Sequence, residues 1–303
     1  MAGLPPARAL SGAAFGTLLL IALMMGANHV AARLAFNSGA DVATAVVVRS
    51  SVTAAVLAAL LLLQGLSPNF TPRHKRMLPV VGLLIGVQSL CLYSAVARLP
   101  VALALLAFNT YPIWAALWSA VIYRKPPERP LLLAMPVILV GLALALDVFG
   151  AASGLGASGQ WARIGAGVGF ALAASGTFAL AMVMTQHELG DVDGRIRSAT
   201  TMGMAALVGL AMVGAQGGFH WPTAAVGWGG LAALTFLYGT AFSIMFTVLP
   251  KLGVVGNSAI MNVEPVFALV LAWLVLGQSI AAVQVAGALL VVGAVVALGL
   301  RKR

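Results

Sequence analysis

Long apolar runs separated by short polar gaps make up nearly the whole chain. A helix crosses the hydrocarbon of a bilayer with ~20 residues. Runs of that size fall at 13–36, 43–63, 77–97, 101–123, 131–149, 163–185, 198–215, 228–249, 254–276 and 280–300. The runs are too long for the strands of a membrane barrel and do not alternate polar with apolar positions. The pattern therefore predicts an all-α membrane protein of about ten transmembrane helices.

Composition agrees. Of 303 residues, 61% are hydrophobic and 8% charged, with a mean hydropathy of +1.04. A soluble domain carries about 25% charged residues because it must cover itself with polar groups; lipid removes that need. The net charge of +10 would suggest nucleic acid in a soluble chain. Here the basic residues fall in the gaps, as in Arg73-His74-Lys75-Arg76 and Arg301-Lys302-Arg303. They read as a topology signal and a contact for anionic lipid, with no nucleic-acid partner. The single cysteine, Cys91, lies in an apolar run, which leaves no internal disulfide and no multi-cysteine metal site. The first run is long enough to span and holds Asn28, His29 and Arg33, so it reads as a membrane helix rather than a cleaved leader.

With the first residue inside, the inner gaps and ends hold 13 Lys and Arg and the outer gaps only Arg98 and Arg163; Arg33 and Arg49, within helices, complete the 17. That asymmetry predicts both termini in the cytoplasm of a bacterial inner (plasma) membrane protein. The Gly/Ser-rich stretch Ala151–Gln160 reads as a linker between two halves, 1–150 and 151–303, of five helices each. Its Gly154-Leu-Gly-Ala-Ser-Gly159 matches G-x-G-x-x-G but follows a membrane helix, with no acidic residue about 20 positions on, so it is no dinucleotide site. Gly82/Gly86 and Gly165/Gly169 offer small-residue faces for close helix packing.

The halves resemble each other. Asn109-Thr-Tyr-Pro112 and Asn262-Val-Glu-Pro265 share N-x-x-P at an offset of 153, which also pairs Arg98 with Lys251, Trp114 with Phe267, Tyr93 with Phe246 and Gly86 with Gly239. Five helices is an odd number, so the second copy enters from the opposite side. The chain thus predicts two inverted five-helix repeats, an architecture that places a substrate site near the midplane between them.

At these residues the chain resembles a family. Asn262-Val-Glu-Pro-Val-Phe-Ala-Leu-Val-Leu-Ala-Trp-Leu-Val-Leu-Gly277 is similar to the end of an EamA domain, as is Tyr111-Pro-Ile-Trp-Ala-Ala-Leu in the first half. Gly26-Ala-Asn-His-Val-Ala-Ala-Arg33 resembles the first-helix motif and Val48-Arg49 the second-helix arginine. The resemblance covers nearly the whole chain and implies the drug/metabolite transporter superfamily, ten helices, and often export of amino acids or other metabolites. YddG-like aromatic amino acid exporters are the nearest group by this reading. One departure stands out: Gln278 follows the final Leu-Gly where many members carry an acid, with Lys125 at the equivalent first-half position.

Charge in hydrocarbon is costly and usually faces a cavity. Glu264 falls near the middle of the ninth helix, Asn28 and His29 near the middle of the first, and Arg49 in the outer half of the second. Arg33 and Asp147 lie near outer ends, where a charge snorkels to the interface. Asn109 and Asn262 each precede a proline by three residues and can bond the backbone groups it frees. Pro112 and Pro265 remove a hydrogen bond within a spanning helix and suit a gate that bends. Tyr93, Tyr111, Trp114, Trp118, Phe108 and Tyr238 are candidates to line a cavity for an apolar or aromatic solute, or to pack helices. An amino acid zwitterion needs an anion for its ammonium and a cation for its carboxylate. Glu264 on one side, and His29 with Arg49 on the other, supply them. No P-loop, nucleophile–base pair or metal motif accompanies these residues, so an enzyme, a cofactor and a bound metal are not expected. The reading is a monomeric secondary transporter that exports a small organic solute by alternating access. Efflux or uptake of another metabolite or drug is the alternative within transport, and a non-transporting scaffold the alternative outside it.

Overall fold

The computed structural model describes residues 12–65, 70–127, 129–248 and 263–301. Among them every regular element is a helix: α1 (Gly12–Asn37), α2 (Val42–Leu63), α3 (Pro72–Arg98), α4 (Val101–Phe108), α5 (Tyr111–Tyr123), α6 (Arg129–Ala145), α7 (Gly156–Glu188), α8 (Gly194–Ala215), α9 (Ala225–Thr247), α10 (Glu264–Leu276) and α11 (Ala282–Arg301). With α4 and α5 taken as one segment, seven helices are long and apolar enough to cross a membrane, and three shorter apolar ones lie in α6, α10 and α11. Large apolar side chains such as Leu63, Leu133, Phe236 and Trp273 are exposed on the outside of the bundle, a surface that suits lipid.

Local chemistry starts and stops the helices. Asp41 caps α2 by accepting from Thr44 N at 2.6 Å, Thr71 and His74 form a reciprocal capping box at α3, and Asp193 caps α8. Gly277 ends α10 in the left-handed region at φ 63°, where a residue without Cβ is unstrained. The fourth predicted helix divides at Asn109 and Thr110. Pro112 sits in the first turn of α5, so its missing N–H leaves the Phe108 carbonyl without an intrahelical donor and the chain breaks there rather than bending smoothly. The sixth predicted helix starts earlier than its apolar run: α7 begins at Gly156 and takes in half of the glycine-rich linker. Buried Gln160 secures this start by donating to Leu146 O at 2.9 Å.

The packing pairs α2 with α8, α6 with α11, α3 with α7 and α8, α1 with α9 and α10, α2 with α9, and α7 with α4 and α5. Exchanging α7 with α1, α8 with α2, α9 with α3, α10 with α4–α5 and α11 with α6 leaves α2–α8 and α6–α11 unchanged and turns each of the other pairs into another of the set. The glycines that the 153-residue offset pairs behave alike. A Cβ on Gly86 would meet Val208 on α8, and one on Gly239 would meet Thr53 on α2. Gly82 also faces α8, whereas Gly169 has open space beside it, so only the first of the two small-residue faces is a helix contact.

Two His–Asp pairs tie turns of one half to the other. Asp41, before α2, meets His220 Nδ1 at 2.7 Å in the α8–α9 turn. Asp191, before α8, meets His74 Nε2 at 3.1 Å at the start of α3. Arg73 approaches both Glu188 and Asp191, at 3.8 and 3.7 Å. Arg33 donates to Val96 O and Leu99 O, closing the end of α3. Asp147 accepts from Ala152 N and Ser153 N at 3.0 and 2.8 Å, holding the turn before α7. Both charges serve helix ends and turns, which adds a structural role to the snorkelling expected of them. Gln278 accepts from Val101 N at 3.0 Å and caps α4; Lys125 meets His187 instead, at 2.9 Å.

Candidate functional site

Gly26 on α1 sets the position of the first turn of α10. A Cβ there would stand 3.0 Å from Ala268 N and 3.1 Å from Glu264 O, so the bare glycine lets the two backbones meet. Glu264 opens α10, and Pro265 beside it lies in the first turn, where an N–H is not needed. The carboxylate thus sits at a helix N-terminus, whose partial positive charge favours an anion. One turn along α1 from Gly26, His29 Nε2 meets Glu264 Oε1 at 3.3 Å.

A second group surrounds Arg49, which is 3% exposed. Its Nη1 donates to Tyr93 Oη at 3.2 Å and its Nη2 to Ser89 Oγ at 2.9 Å, both on α3. The guanidinium lies over the Tyr238 ring at 3.8 Å and the Tyr93 ring at 4.7 Å, geometry that stabilises a cation against an aromatic face. The Tyr93 hydroxyl donates to Asn28 Oδ1 at 2.8 Å. Tyr93 also joins the two groups, because the His29 ring meets it edge-on at 5.6 Å. Asn28, His29, Arg49, Tyr93, Tyr238 and Glu264, expected from the sequence, therefore converge from α1, α2, α3, α9 and α10.

The partners differ from the expectation in one respect. His29 was expected beside Arg49 at a cationic pole; it stands against Glu264 instead. Arg49 has no carboxylate within ion-pair distance among the described residues. Ser89 and Gly26 are the residues whose roles sequence reasoning missed. Ser89 lies four residues before Tyr93 and so shares its helix face, a signal available once Tyr93 is chosen. Gly26 was legible only as part of a motif.

The other aromatic candidates gather elsewhere. Tyr111 meets Phe178 of α7 at 5.4 Å, and Phe108 meets both Tyr111 and Phe178, at 6.0 and 5.2 Å. Trp118 Nε1 donates to Gly176 O at 3.0 Å, and the Trp114 ring faces Gly176. These residues form the junction of α5 with α7. Asn109 is buried at the end of α4, where its N–H returns to Leu105 O at 2.9 Å, and its side chain makes no hydrogen bond among the described residues. Asn262 lies outside the described residues. No cluster of His, Cys, Asp and Glu able to hold a metal occurs among the described residues.

The model of the EamA-like transporter family matches residues 12–146 and 165–300. The chain belongs to the EamA-like transporter family. It is a multi-pass membrane transporter of small solutes rather than an enzyme. Fifteen solved chains match it. One, titled only "Crystal structure of protein", aligns with a TM-score of 0.61 and 19% identity over 97% of this chain and 100% of its own; at that identity the likeness shows the fold alone. No curated protein matches.

Proposed function

We propose that this transporter is a secondary exporter of small organic solutes, amino acids including aromatic ones, working by alternating access in the bacterial inner membrane. The observation that carries the reading is the His29–Glu264 pair, 3.3 Å apart and set beside buried Arg49. A carboxylate at Glu264 and a guanidinium at Arg49, linked through His29 and Tyr93, offer both signs of charge, which supports a zwitterionic cargo. Tyr93 and Tyr238 wall the cationic end, and Tyr111, Trp114, Trp118 and Asn109 continue toward the α5–α7 junction. The likeness of the two N-x-x-P segments to the EamA domain, which implies frequent export of amino acids or other metabolites, supports amino acids as cargo.

In this reading the halves, 1–150 and 151–303, are inverted five-helix repeats within a ten-helix monomer. The exchange symmetry of the packing supports that division. Both termini face the cytoplasm, as the loop charges favour. Pro112 and Pro265, each in the first turn of its helix, act as matched hinges, and Asn109 and Asn262 precede them by three residues in the sequence.

Reconstitution into liposomes with a panel of labelled amino acids and amines tests the proposal. Saturable flux of aromatic amino acids, competed by unlabelled ones, is the expected result. Flux of amines or unrelated drugs alone, with no amino acid competing, would overturn it in favour of another cargo.

A further inference from the structure

Among the described residues three buried side-chain polar atoms lack a hydrogen-bond partner: His29 Nδ1, Arg49 Nε and Ser50 Oγ. All three lie on α1 and α2. His29 is 5% exposed, Arg49 3% and Ser50 0%, so water does not satisfy them from outside. An unmade bond at a buried polar atom is costly, and a buried cation without a counter-ion is costlier still. Protein partners already occupy the other atoms of the same side chains: Tyr93 and Ser89 take two nitrogens of Arg49, and Glu264 takes His29 Nε2.

The vacant positions differ in chemistry. Arg49 Nε carries a hydrogen at every physiological pH and can only donate. His29 is the reverse. A neutral imidazole that keeps its hydrogen on Nε2, the nitrogen facing the Glu264 carboxylate at 3.3 Å, leaves the lone pair on Nδ1, which accepts. Tyr93 touches both, with the guanidinium over its ring at 4.7 Å and the imidazole edge-to-face with it at 5.6 Å. One aromatic ring thus adjoins a donor for an anion and an acceptor for a cation, the latter backed by a carboxylate.

We infer that Arg49 and His29 hold the two charged ends of one zwitterion, the carboxylate of a 2-amino acid on Arg49 Nε and its ammonium on His29 Nδ1 in the field of Glu264. The inference rests on the amino-acid reading above and sharpens it, because it requires both charged groups on the solute. It also assigns the poles by helix: α2 selects the acid and α1, steadied by α10, selects the amine. Binding the carboxylate supplies the counter-ion that Arg49 lacks among the described residues.

Three probes separate the poles. Phenylalanine carries both charges, phenylalaninamide lacks the carboxylate, and 3-phenyllactate lacks the ammonium. Binding to the purified full-length protein is read by intrinsic tryptophan fluorescence and by the shift in melting temperature. Wild-type protein is expected to bind phenylalanine about tenfold or more tightly than either analogue, the effect of one charge-assisted hydrogen bond. Arg49→Gln is expected to bind phenylalanine and its amide alike, with the amide affinity unchanged. His29→Phe keeps a ring against Tyr93 and is expected to bind phenylalanine and phenyllactate alike. Should Arg49→Gln fail to fold, Arg49→Lys retains the charge without the Nε donor and shows an intermediate preference.

A wild type that binds the amide as well as the acid overturns the inference while leaving amino-acid-derived cargo intact. So does a folded Arg49→Gln that still prefers the acid tenfold. A wild type that binds none of the three probes, yet carries a different labelled solute in the flux panel, overturns the cargo reading and the inference with it.

Discussion

The junction between the first helix of one half and the fourth segment of the other is built twice, from different side chains. On one side α1 crosses the start of α10. Gly26 lies under the turn, and His29 reaches Glu264 at 3.3 Å. On the other side α7 crosses α5. Gly176 faces Trp114, and Phe178 meets Tyr111 ring to ring at 5.4 Å. The 153-residue offset sets Tyr111 opposite Glu264, so the same backbone position carries a phenol in one half and a carboxylate in the other. The repeated backbone supplies two crossings, and the side chains give a histidine–carboxylate contact to only one of them. A two-fold frame of this kind can move symmetrically while binding an asymmetric solute.

The two glycines break the comparison most severely. A Cβ on Gly26 would press on Ala268 N at 3.0 Å, backbone that cannot yield, whereas one on Gly176 would meet Trp114 at an ordinary 3.7 Å. Gly26→Val is expected to lower stability by ~1–3 kcal/mol or more by overpacking and to cost transport with it. Gly176→Ala is expected to be neutral or to stabilise α7 by up to ~1 kcal/mol, the helix propensity gained. Melting curves in one detergent check both. Equal losses at the two sites would mean that the crossings are not different in closeness.

The prolines sharpen the same comparison at smaller scale. Pro112 and Pro265 both sit in the first turns of their helices, but only Pro265 adjoins the charged residue. Replacing Pro265 with Ala restores a backbone N–H and frees φ at that turn. Turnover is expected to fall about threefold, ~0.6 kcal/mol on the barrier, with binding less affected. Unchanged turnover at normal expression would count against the hinge.

Much of the fold was legible because lipid demands long apolar helices, and that demand is written in run length. The faces were not. In a soluble helix the polar side marks solvent, but α5 and α10 are apolar all round, so nothing in the pattern shows which side meets protein. Trp114 and Trp118, i and i+4, were correctly placed on one face, and the sequence left open whether it lined a cavity or packed against a helix; it meets α7. The polar residues were easier. Asn28, His29, Arg49 and Glu264 are rare in such surroundings, so their rarity marked them. Which histidine or arginine meets Glu264 was not legible, because His29 and Glu264 are brought together by the close approach at Gly26, and that is tertiary. The early start of α7 was hidden for a related reason: glycine and serine read as a linker until Gln160 is seen bonding back to Leu146 O.

The smallest expected effect concerns the His–Asp pairs at the two ends of the bundle. Hydrogen bonding to its own backbone N–H, with His74 and Arg73 nearby, holds the Asp191 carboxyl below its ordinary value of 3.8. A depressed acid stabilises the fold fully above its ordinary value and loses that contribution as pH falls through the folded one. Below 3.8 the melting temperature should therefore fall more steeply in wild type than in Asp191→Asn. Because Asp191 is largely exposed, the difference should be slight; identical acid limbs would show that the pair contributes nothing.

The central claim is that the His29–Glu264 contact at the α1–α10 crossing serves transport while the aromatic pair at the α7–α5 crossing serves structure. Melting temperature and liposome flux, measured on the same preparations of Glu264→Gln and Phe178→Leu, test it most directly. Glu264→Gln keeps the shape and removes the charge; flux should fall about tenfold, ~1.4 kcal/mol, with the melting temperature close to wild type. Phe178→Leu gives up an aromatic pair worth ~0.5–1.5 kcal/mol; its melting temperature should drop while flux per folded molecule holds. Near-wild-type flux in Glu264→Gln together with a lowered melting temperature would contradict the claim.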